Sequence, residues 1–296
     1  MSDQGPPRLR VGVIGAGRVG AVLGAALRRA GHELVGVTAV SDVSRLRAEA
    51  LLPGVPILDL PAVVRDVDLV LVAVPDDALP GLVAGLAETG NVHAGQFWCH
   101  PAGRFGIAVL DPATRMGALP LALHPVMTFT GTSLDLSRLG DCPFGVTAPQ
   151  VLRPVAEALV VEMGGDPFWV PEENRSTYHA ALAYGSNYLI TLVTQCLDLL
   201  RHAGLEEPQR LVAPLLSASL DNALRWGDQA LTGPVARGDA ASVADHVRAI
   251  EEVSPEAASA YRALGRLTAD RAVGAGLLKA RDAEALLEVL GEGRGR

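Results

Sequence analysis

The apolar positions in the first half of the chain form short continuous runs that are separated by helical patterns. Between the first two runs, residues 18–30 have the apolar spacing of a helix that Gly31 closes. The runs predict strands at residues 9–14, 34–40, 68–74, 97–99 and 118–123. Strands that are apolar throughout and alternate with helices are typical of a parallel sheet covered on both faces. The pattern therefore predicts an α/β fold with a doubly wound Rossmann sheet.

The second half of the chain has helical spacing alone. Its apolar pattern predicts helices at about residues 173–203, 209–226, 240–252, 255–272 and 280–290. The first of these far exceeds the mean helix length of about 11 residues, which suggests that it crosses the centre of a domain or an oligomer interface. We therefore predict a Rossmann domain at residues 1–170 and an all-helical domain at residues 171–296.

Composition and charge narrow the class of protein. A chain of 296 residues with 49% apolar residues suits two domains. The net charge of −8 and a single lysine, Lys279, argue against nucleic-acid binding. No apolar run is long enough for a membrane span, and residues 1–10 lack the pattern of a signal peptide, so we expect a cytoplasmic protein. Three widely spaced cysteines predict neither a disulfide framework nor a metal site.

A glycine motif follows the first predicted strand and precedes the first predicted helix. It reads Gly15-Ala16-Gly17-Arg18-Val19-Gly20, which is GxGxxG. In this context the glycines allow a tight turn, a close approach to a diphosphate and close packing of helix on strand. The motif predicts dinucleotide binding, and the alternative is a glycine-rich turn without a ligand.

The choice between NADP and NAD depends on the residues after the second strand. Ser41, Arg45 and Arg47 favour the 2′-phosphate of NADP, while Asp42 is placed to bind the ribose hydroxyls of NAD. We predict NADP and keep NAD as possible. Both arginines also fit an ordinary solvated helix face.

Three later strands end at a proline, on the edge of the sheet where ligands bind. We expect Val74, Pro75, Asp76 and His100 to contact the cofactor, and His124 to contact the substrate. The alternative is that the prolines only end the strands and that both histidines bind the backbone of their turns.

Polar residues in the second half are candidates for the substrate site. His179 and Ser186 lie seven positions apart and share a helical face, with Asn187 at its border. Thr232 and Arg237 lie in a loop between two helices, where Arg237 suits a bidentate contact to a carboxylate. Hydrogen bonds between helices and an ordinary surface arginine are the alternatives.

These motifs together resemble a known bacterial family. They are GAGRVG, AVPD, the H-x-x-G of residues 100–103, LHPVMTF, YHAALAYGSNYL and LTGPVARGD. The order is similar to a family with a Rossmann-like domain followed by a domain of unknown function. That family is related to pyrroline-5-carboxylate reductases, ketopantoate reductases, 6-phosphogluconate dehydrogenases and other β-hydroxyacid dehydrogenases. The resemblance covers residues 8–290.

The resemblance implies an NADP-dependent reductase, with its active site in the cleft between the domains. It also implies a homodimer built through a helical domain like that of 6-phosphogluconate dehydrogenases. Several relatives use a lysine on the long helix as general acid, and this chain has none there. His179 is then our first candidate for the acid, with Ser186 and Asn187 orienting the substrate and His124 in reserve.

The expected reaction is reduction of a small keto acid, such as a ketopantoate-like acid, or of a cyclic imine. The missing lysine keeps a second hypothesis open, in which the protein binds a dinucleotide as a sensor or regulator without turnover.

Overall fold

The computed structural model describes residues 8–291. The chain divides into two compact units, Met1–Ala183 and Tyr184–Arg296. The division falls inside the longest helix, whereas the sequence places the domain boundary at residue 170. The reason for this difference is that the first turns of the helix pack on the sheet of the first unit, through Arg175 and Tyr178.

The first unit contains a seven-stranded sheet with the strand order β2-β1-β3-β4-β5-β6-β7. The strands are β1 Arg10–Ile14, β2 Glu33–Val37, β3 Leu69–Val72, β4 Phe97–His100, β5 Leu119–Pro125, β6 Pro143–Thr147 and β7 Asp166–Trp169. β1 to β5 are parallel, β6 pairs with β5 in the antiparallel direction, and β7 is parallel to β6.

Helices cover both faces of this sheet. They are α1 Arg18–Arg29, α2 Asp42–Leu51, α3 Leu60–Arg65, α4 Leu79–Glu88, α5 Asp111–Thr114, α6 Leu134–Arg138 and α7 Arg153–Glu162. Alternate residues of β3 enter different cores: Leu69 and Leu71 pack with α1 and α7, while Val70 and Val72 pack with α4. A sheet buried on both faces is the doubly wound arrangement that the apolar runs predict, so the α/β fold class is confirmed.

β6 and β7 are strands that the sequence pattern did not predict. Both are short, β6 begins with Pro143, and β7 contains Pro167. Proline removes a backbone donor and is tolerated near sheet edges, where it also hides the usual strand signal. The far side of the sheet is therefore mixed in strand direction.

The second unit is helical, as predicted. Its helices are α8 Arg175–His202, which begins in the first unit, α9 Pro208–Trp226, α10 Gly233–Ala236, α11 Ala240–Val253, α12 Pro255–Gly274 and α13 Ala280–Leu290. α10 to α13 form a bundle around Val243, Leu286 and Leu290, which are completely buried. The Asp239 carboxylate accepts a hydrogen bond from the Ser242 N–H at 3.1 Å and caps α11.

No helix within residues 8–291 combines the length and the apolar character that crossing a membrane requires.

Candidate functional site

The glycine motif forms a tight loop between β1 and α1. Gly15 has a φ of +99°, and a Cβ there would lie 2.6 Å from the Ala73 carbonyl oxygen. A Cβ at Gly20 would lie 2.1 Å from the Gly15 carbonyl oxygen, so α1 packs directly on the loop. Gly17 is different, because the nearest atom to its Cβ position is 4.0 Å away. Gly15 and Gly20 are therefore required by packing, whereas Gly17 leaves space in front of the loop.

The first turn of α1 faces this space with free backbone donors. Gly17 is the N-cap, no side chain caps the helix, and the first turn contains no acidic residue. The first N–H groups of a helix have no partner within it and carry the positive end of the helix dipole. The N–H of Ala16 is already engaged, since it donates to the Thr38 carbonyl at 2.9 Å. The open donors are therefore those of the helix, from Arg18 through Val19 to Gly20.

The residues expected to select the cofactor start helix α2. Ser41 caps α2 through its hydroxyl, which accepts from the Ser44 N–H at 3.2 Å. Arg45 is exposed on the same helix. Arg47 is half-buried, and its Nη1 donates to the Ala16 carbonyl at 3.2 Å. Arg47 thus contacts the glycine loop itself.

Val74, Pro75 and Asp76 follow β3 and lie at the carboxyl edge of the sheet, as expected. Val74 packs beside Gly15, where its Cγ1 lies 3.6 Å from the Cβ position. Asp76 is paired with Arg104 at 3.3 Å, and that guanidinium lies 4.4 Å from the Phe105 ring centroid. This pair links the loops that follow β3 and β4.

His100 is completely buried and holds its own loop. Its Nε2 is 2.8 Å from the Gly106 carbonyl, and its Nδ1 accepts from the Ala102 N–H at 3.2 Å. Burial lowers the pKa of His100 to about 4, so the ring is neutral at pH 7. Both ring nitrogens are engaged within the loop, as in the alternative that the sequence left open, and contact with the cofactor stays a prediction.

His124, Tyr178 and His179 form a cluster over the carboxyl edge of β5. His124 Nδ1 lies 2.8 Å from the Tyr178 hydroxyl. The rings of His124 and His179 pack edge to face, with their centroids 6.0 Å apart. A Cβ at Gly103 would lie 2.9 Å from His124 Nε2 and 2.5 Å from His179 Cδ2. The H-x-x-G loop therefore needs a glycine where it passes the two histidines.

The surroundings of His124 and Tyr178 shift the pKa of each group. Burial, followed by the positive charge of Arg175, lowers the pKa of His124 to about 4. Burial raises the pKa of Tyr178 despite the nearby guanidinium. At pH 7 His124 is neutral and Tyr178 keeps its proton. When Tyr178 donates to Nδ1, the hydrogen of the neutral His124 ring is on Nε2, beside Gly103.

Arg175 anchors the beginning of α8 in the sheet and is only 1% exposed. Its Nη2 donates to the carbonyl oxygens of Ala122 in β5 and Gly145 in β6, at 3.1 and 3.0 Å. Its Nε donates to Thr147 Oγ1 at 2.7 Å. Nη1 has no hydrogen-bond partner among residues 8–291. The guanidinium carbon lies 5.6 Å from the Tyr178 ring centroid, so the anchor also supports the cluster.

Glu172 lies between β7 and α8 and binds the loop that follows β4. Its carboxylate accepts from the N–H groups of Ile107 and Ala108, at 2.7 and 3.0 Å. A Cβ at Gly106 would lie 1.9 Å from Glu172 Oε2, so this loop too passes closely. Glu172 thus holds the end of the loop after β4, and Arg175 holds the start of α8.

The remaining predicted site residues belong to the second unit. Ser186 and Asn187 are exposed on α8, and Thr232 and Arg237 are exposed at the two ends of α10. Thr232 is the N-cap of α10 without a side-chain cap bond. The cluster of His124 and His179 is therefore assembled within the first unit, without these four residues.

Sequence reasoning did not include Arg175, Glu172 or Tyr178 among the site residues. One signal was available: Arg175, Tyr178 and His179 are spaced i, i+3, i+4 and so share a helical face. The role of Arg175 depends on carbonyls from two strands, one of which the sequence did not predict. Within residues 8–291 no group of His, Cys, Asp and Glu side chains is arranged to hold a metal ion.

Comparison with known proteins identifies both halves of the chain. Residues 1–125 match the model of a Rossmann-like domain, and residues 142–268 match the model of DUF2520, a domain of unknown function. The chain therefore has the family organisation that its motifs predict. A search of curated proteins finds no match.

Solved structures share the fold over nearly the whole chain. A Bacteroides fragilis protein, provisionally assigned as an NADP oxidoreductase, has a TM-score of 0.71 at 21% identity, covering 89% of this chain and 98% of its own. An imine reductase variant from Myxococcus stipitatus in complex with NAD+ has a TM-score of 0.64 at 18% identity, covering 97% and 100%. A 1-pyrroline-5-carboxylate reductase from Streptococcus pyogenes has a TM-score of 0.58 at 18% identity, covering 90% and 99%. At these identities the likeness establishes a common fold.

Replacing Arg175 tests its role as the anchor of the site. We expect Arg175→Met to lower the free energy of unfolding by about 2 kcal/mol or more, because buried acceptors lose a charged donor. Urea unfolding followed by tryptophan fluorescence, to which the buried Trp98 contributes, measures this loss. The exposed Arg115→Met is the matched control and should change the midpoint little. Equal midpoints for the two variants would contradict the anchoring role.

Proposed function

We propose that the chain is an NADPH-dependent reductase that acts on a small keto acid, such as a ketopantoate-like acid, or on a cyclic imine. The observation that carries the proposal is the glycine loop. Gly15 and Gly20 pack against backbone, while Gly17 leaves space in front of an uncapped helix end. Such an end is suited to a diphosphate, because the backbone approaches closely and presents N–H groups.

The two parts of the candidate site lie at the same edge of the sheet. The glycine loop follows β1, and His124 lies near the end of β5, within the parallel part of the sheet. The carboxyl ends of parallel strands share one edge, where nucleotide ligands bind in open α/β sheets. A dinucleotide held at the glycine loop then has its reactive end within reach of the histidine cluster.

A bound nicotinamide cofactor supplies hydride to a carbonyl or imine carbon. The oxyanion or amide that results needs a proton, and His179 is the residue we assign to hold it. His124 is a poor acid at pH 7 because its pKa is about 4. Its neutral ring instead offers the Nε2 hydrogen for orienting a carbonyl oxygen, and Tyr178 fixes that ring. Ser186 and Asn187 are further candidates for orienting the substrate.

The structural neighbours support this assignment. Those with stated activities include imine reductases, one in complex with NAD+, and a 1-pyrroline-5-carboxylate reductase. The assigned reaction belongs to the same class, in which a carbon–nitrogen or carbon–oxygen double bond is reduced. The absence of lysine from α8 separates this chain from relatives that use a lysine acid.

Cofactor titration followed by a substrate panel tests the proposed function. We expect NADPH to bind, as measured by its fluorescence, and to be oxidised with at least one member of a panel of 2-keto acids and cyclic imines. His179→Gln should lower kcat by about 10²- to 10⁴-fold while leaving NADPH affinity unchanged, because only proton transfer is removed.

The matched control is His93→Gln, which alters an exposed histidine before β4, at the opposite end of that strand. It should leave kcat unchanged. Binding without turnover on the whole panel would favour the sensor hypothesis, and failure to bind either NADPH or NADH would exclude both.

We also propose that the protein forms a homodimer through its helical unit. Helix α9 carries exposed leucines on opposite faces, with Leu211 and Leu215 on one and Leu220 and Leu224 on the other. Trp226 at its end is 65% exposed. A helix that is apolar on several faces is usually buried, and large exposed apolar patches mark interaction sites. A second copy of this helical unit is the partner that supplies matching apolar surface.

Sedimentation equilibrium tests the dimer. We expect the mass of two chains for the unmodified protein, and a shift towards one chain for Leu215→Glu, because a charge would be buried without a partner. Gln209→Glu places the same charge on an exposed polar position of α9 and should remain dimeric. A monomeric unmodified protein would contradict the proposal.

A further inference from the structure

Two arginines from different helices meet against one glycine beside the phosphate-binding loop. A Cβ at Gly131 would lie 2.6 Å from Arg47 Nε and 2.7 Å from Arg18 Cγ. Arg18 begins α1, Arg47 belongs to α2, and Gly131 lies in the loop that follows β5. The loop of residues 130–133 therefore borders the place where the start of α1 and the middle of α2 meet.

A buried carboxylate, that of Asp135, fixes this loop through hydrogen bonds. Asp135 is 0% exposed and accepts hydrogen bonds from the N–H groups of Thr130 and Gly131, at 2.8 and 2.7 Å. Its second oxygen accepts from the Thr130 hydroxyl at 2.9 Å. Gly131 itself has a φ of +79°, which favours glycine. These hydrogen bonds fix the conformation of the loop, and the Arg47 side chain packs against it at Gly131.

Neither arginine has an acidic partner. Within residues 8–291, the ion pairs of the structure include neither Arg18 nor Arg47, and Asp135 is occupied by its own loop. The Arg47 guanidinium donates to the Ala16 carbonyl of the glycine loop. The Arg47 guanidinium thus lies at the glycine loop without a carboxylate partner, where it can serve as a charged donor to an anion.

We propose that Arg47, assisted by Arg18, binds the 2′-phosphate of NADPH, and that the loop of residues 130–133 sets this specificity by positioning Arg47. The inference rests on the proposed function, since it assigns the phosphate of that cofactor. Arg47 lies on α2, the helix that follows β2. This is where the 2′-phosphate of a bound dinucleotide is expected, because it lies beyond the second strand of such a sheet. Of the two arginines that the sequence favours for this phosphate, Arg47 contacts the glycine loop, whereas Arg45 is exposed on the same helix.

Gly131 is the specificity-determining position in this arrangement. Any side chain there would meet the Arg47 Nε and the Arg18 Cγ at less than 3.0 Å. Both arginine side chains would then have to move away from the phosphate position. The binding affinity should therefore fall for ligands that have a 2′-phosphate. The affinity for NADH should change little, because its ribose and diphosphate contacts remain.

Isothermal titration calorimetry of the full chain with NADPH, NADH, 2′,5′-ADP and 5′-AMP tests the inference. We expect Arg47→Met to weaken NADPH and 2′,5′-ADP by roughly 10- to 100-fold, the loss of one charged hydrogen bond, with NADH and 5′-AMP little affected. Gly131→Ala should also weaken the binding of NADPH and 2′,5′-ADP and leave that of NADH and 5′-AMP little affected.

Two control variants separate this effect from general damage. Arg29→Met removes an exposed arginine at the far end of α1. Gly54→Ala places a Cβ at nearly the same φ, +78°, with no neighbouring atom within 4 Å, so it reproduces the backbone strain without touching Arg47. Both controls should keep the unmodified ratio of NADPH to NADH affinity.

The outcomes distinguish the inference from the proposed function. If NADPH and NADH bind but Arg47→Met weakens them equally or leaves both unchanged, the inference is wrong and the reductase remains. A Gly131→Ala effect no larger than that of Gly54→Ala would also overturn the role of the loop. If the unmodified protein binds no dinucleotide, the proposed function fails and the inference fails with it.

Discussion

The buried guanidinium of Arg175 is the interaction on which the candidate site depends. It joins the first turn of α8 to backbone carbonyls of β5 and β6, so the long helix starts at a fixed point on the sheet. Tyr178 and His179 follow one turn later and are thereby placed over the end of β5. The same positive charge helps to keep His124 neutral. One side chain thus sets the position of the cluster and, together with burial, lowers the pKa of His124.

The glycines impose a second constraint, which is steric. Gly15 and Gly20 let α1 lie against the end of β1, and Gly103 lets the loop after β4 pass the two histidines. Each brings backbone close to a place where a ligand is expected. Together with the anchored helix, they concentrate anion-binding donors and neutral hydrogen-bonding groups at one edge of the sheet. This combination is what a reductase needs for binding a dinucleotide and managing one proton.

Most of the fold follows from the sequence because its signals are local. Apolar runs and helical spacing predicted β1 to β5 and all helices of the second unit except the short α10, since these elements bury continuous apolar surface. β6 and β7 were not predicted from the sequence, because they are short and contain prolines. In the site, the glycine motif could be predicted from its neighbours in the chain. The roles of Arg175 and Gly131 could not, because they arise from contacts between distant segments, and burial gave His100 a structural role.

A crystal structure of the protein with NADPH is the measurement that tests the central claim most directly. We expect the diphosphate at the N-terminus of α1 in front of Gly17, and the nicotinamide ring beside Gly103 and His124. Such a complex would place the reactive carbon next to the residues assigned to orient the substrate and supply the proton. A dinucleotide bound with its nicotinamide away from these histidines, or bound elsewhere on the chain, would contradict the assignment of this edge as the catalytic site.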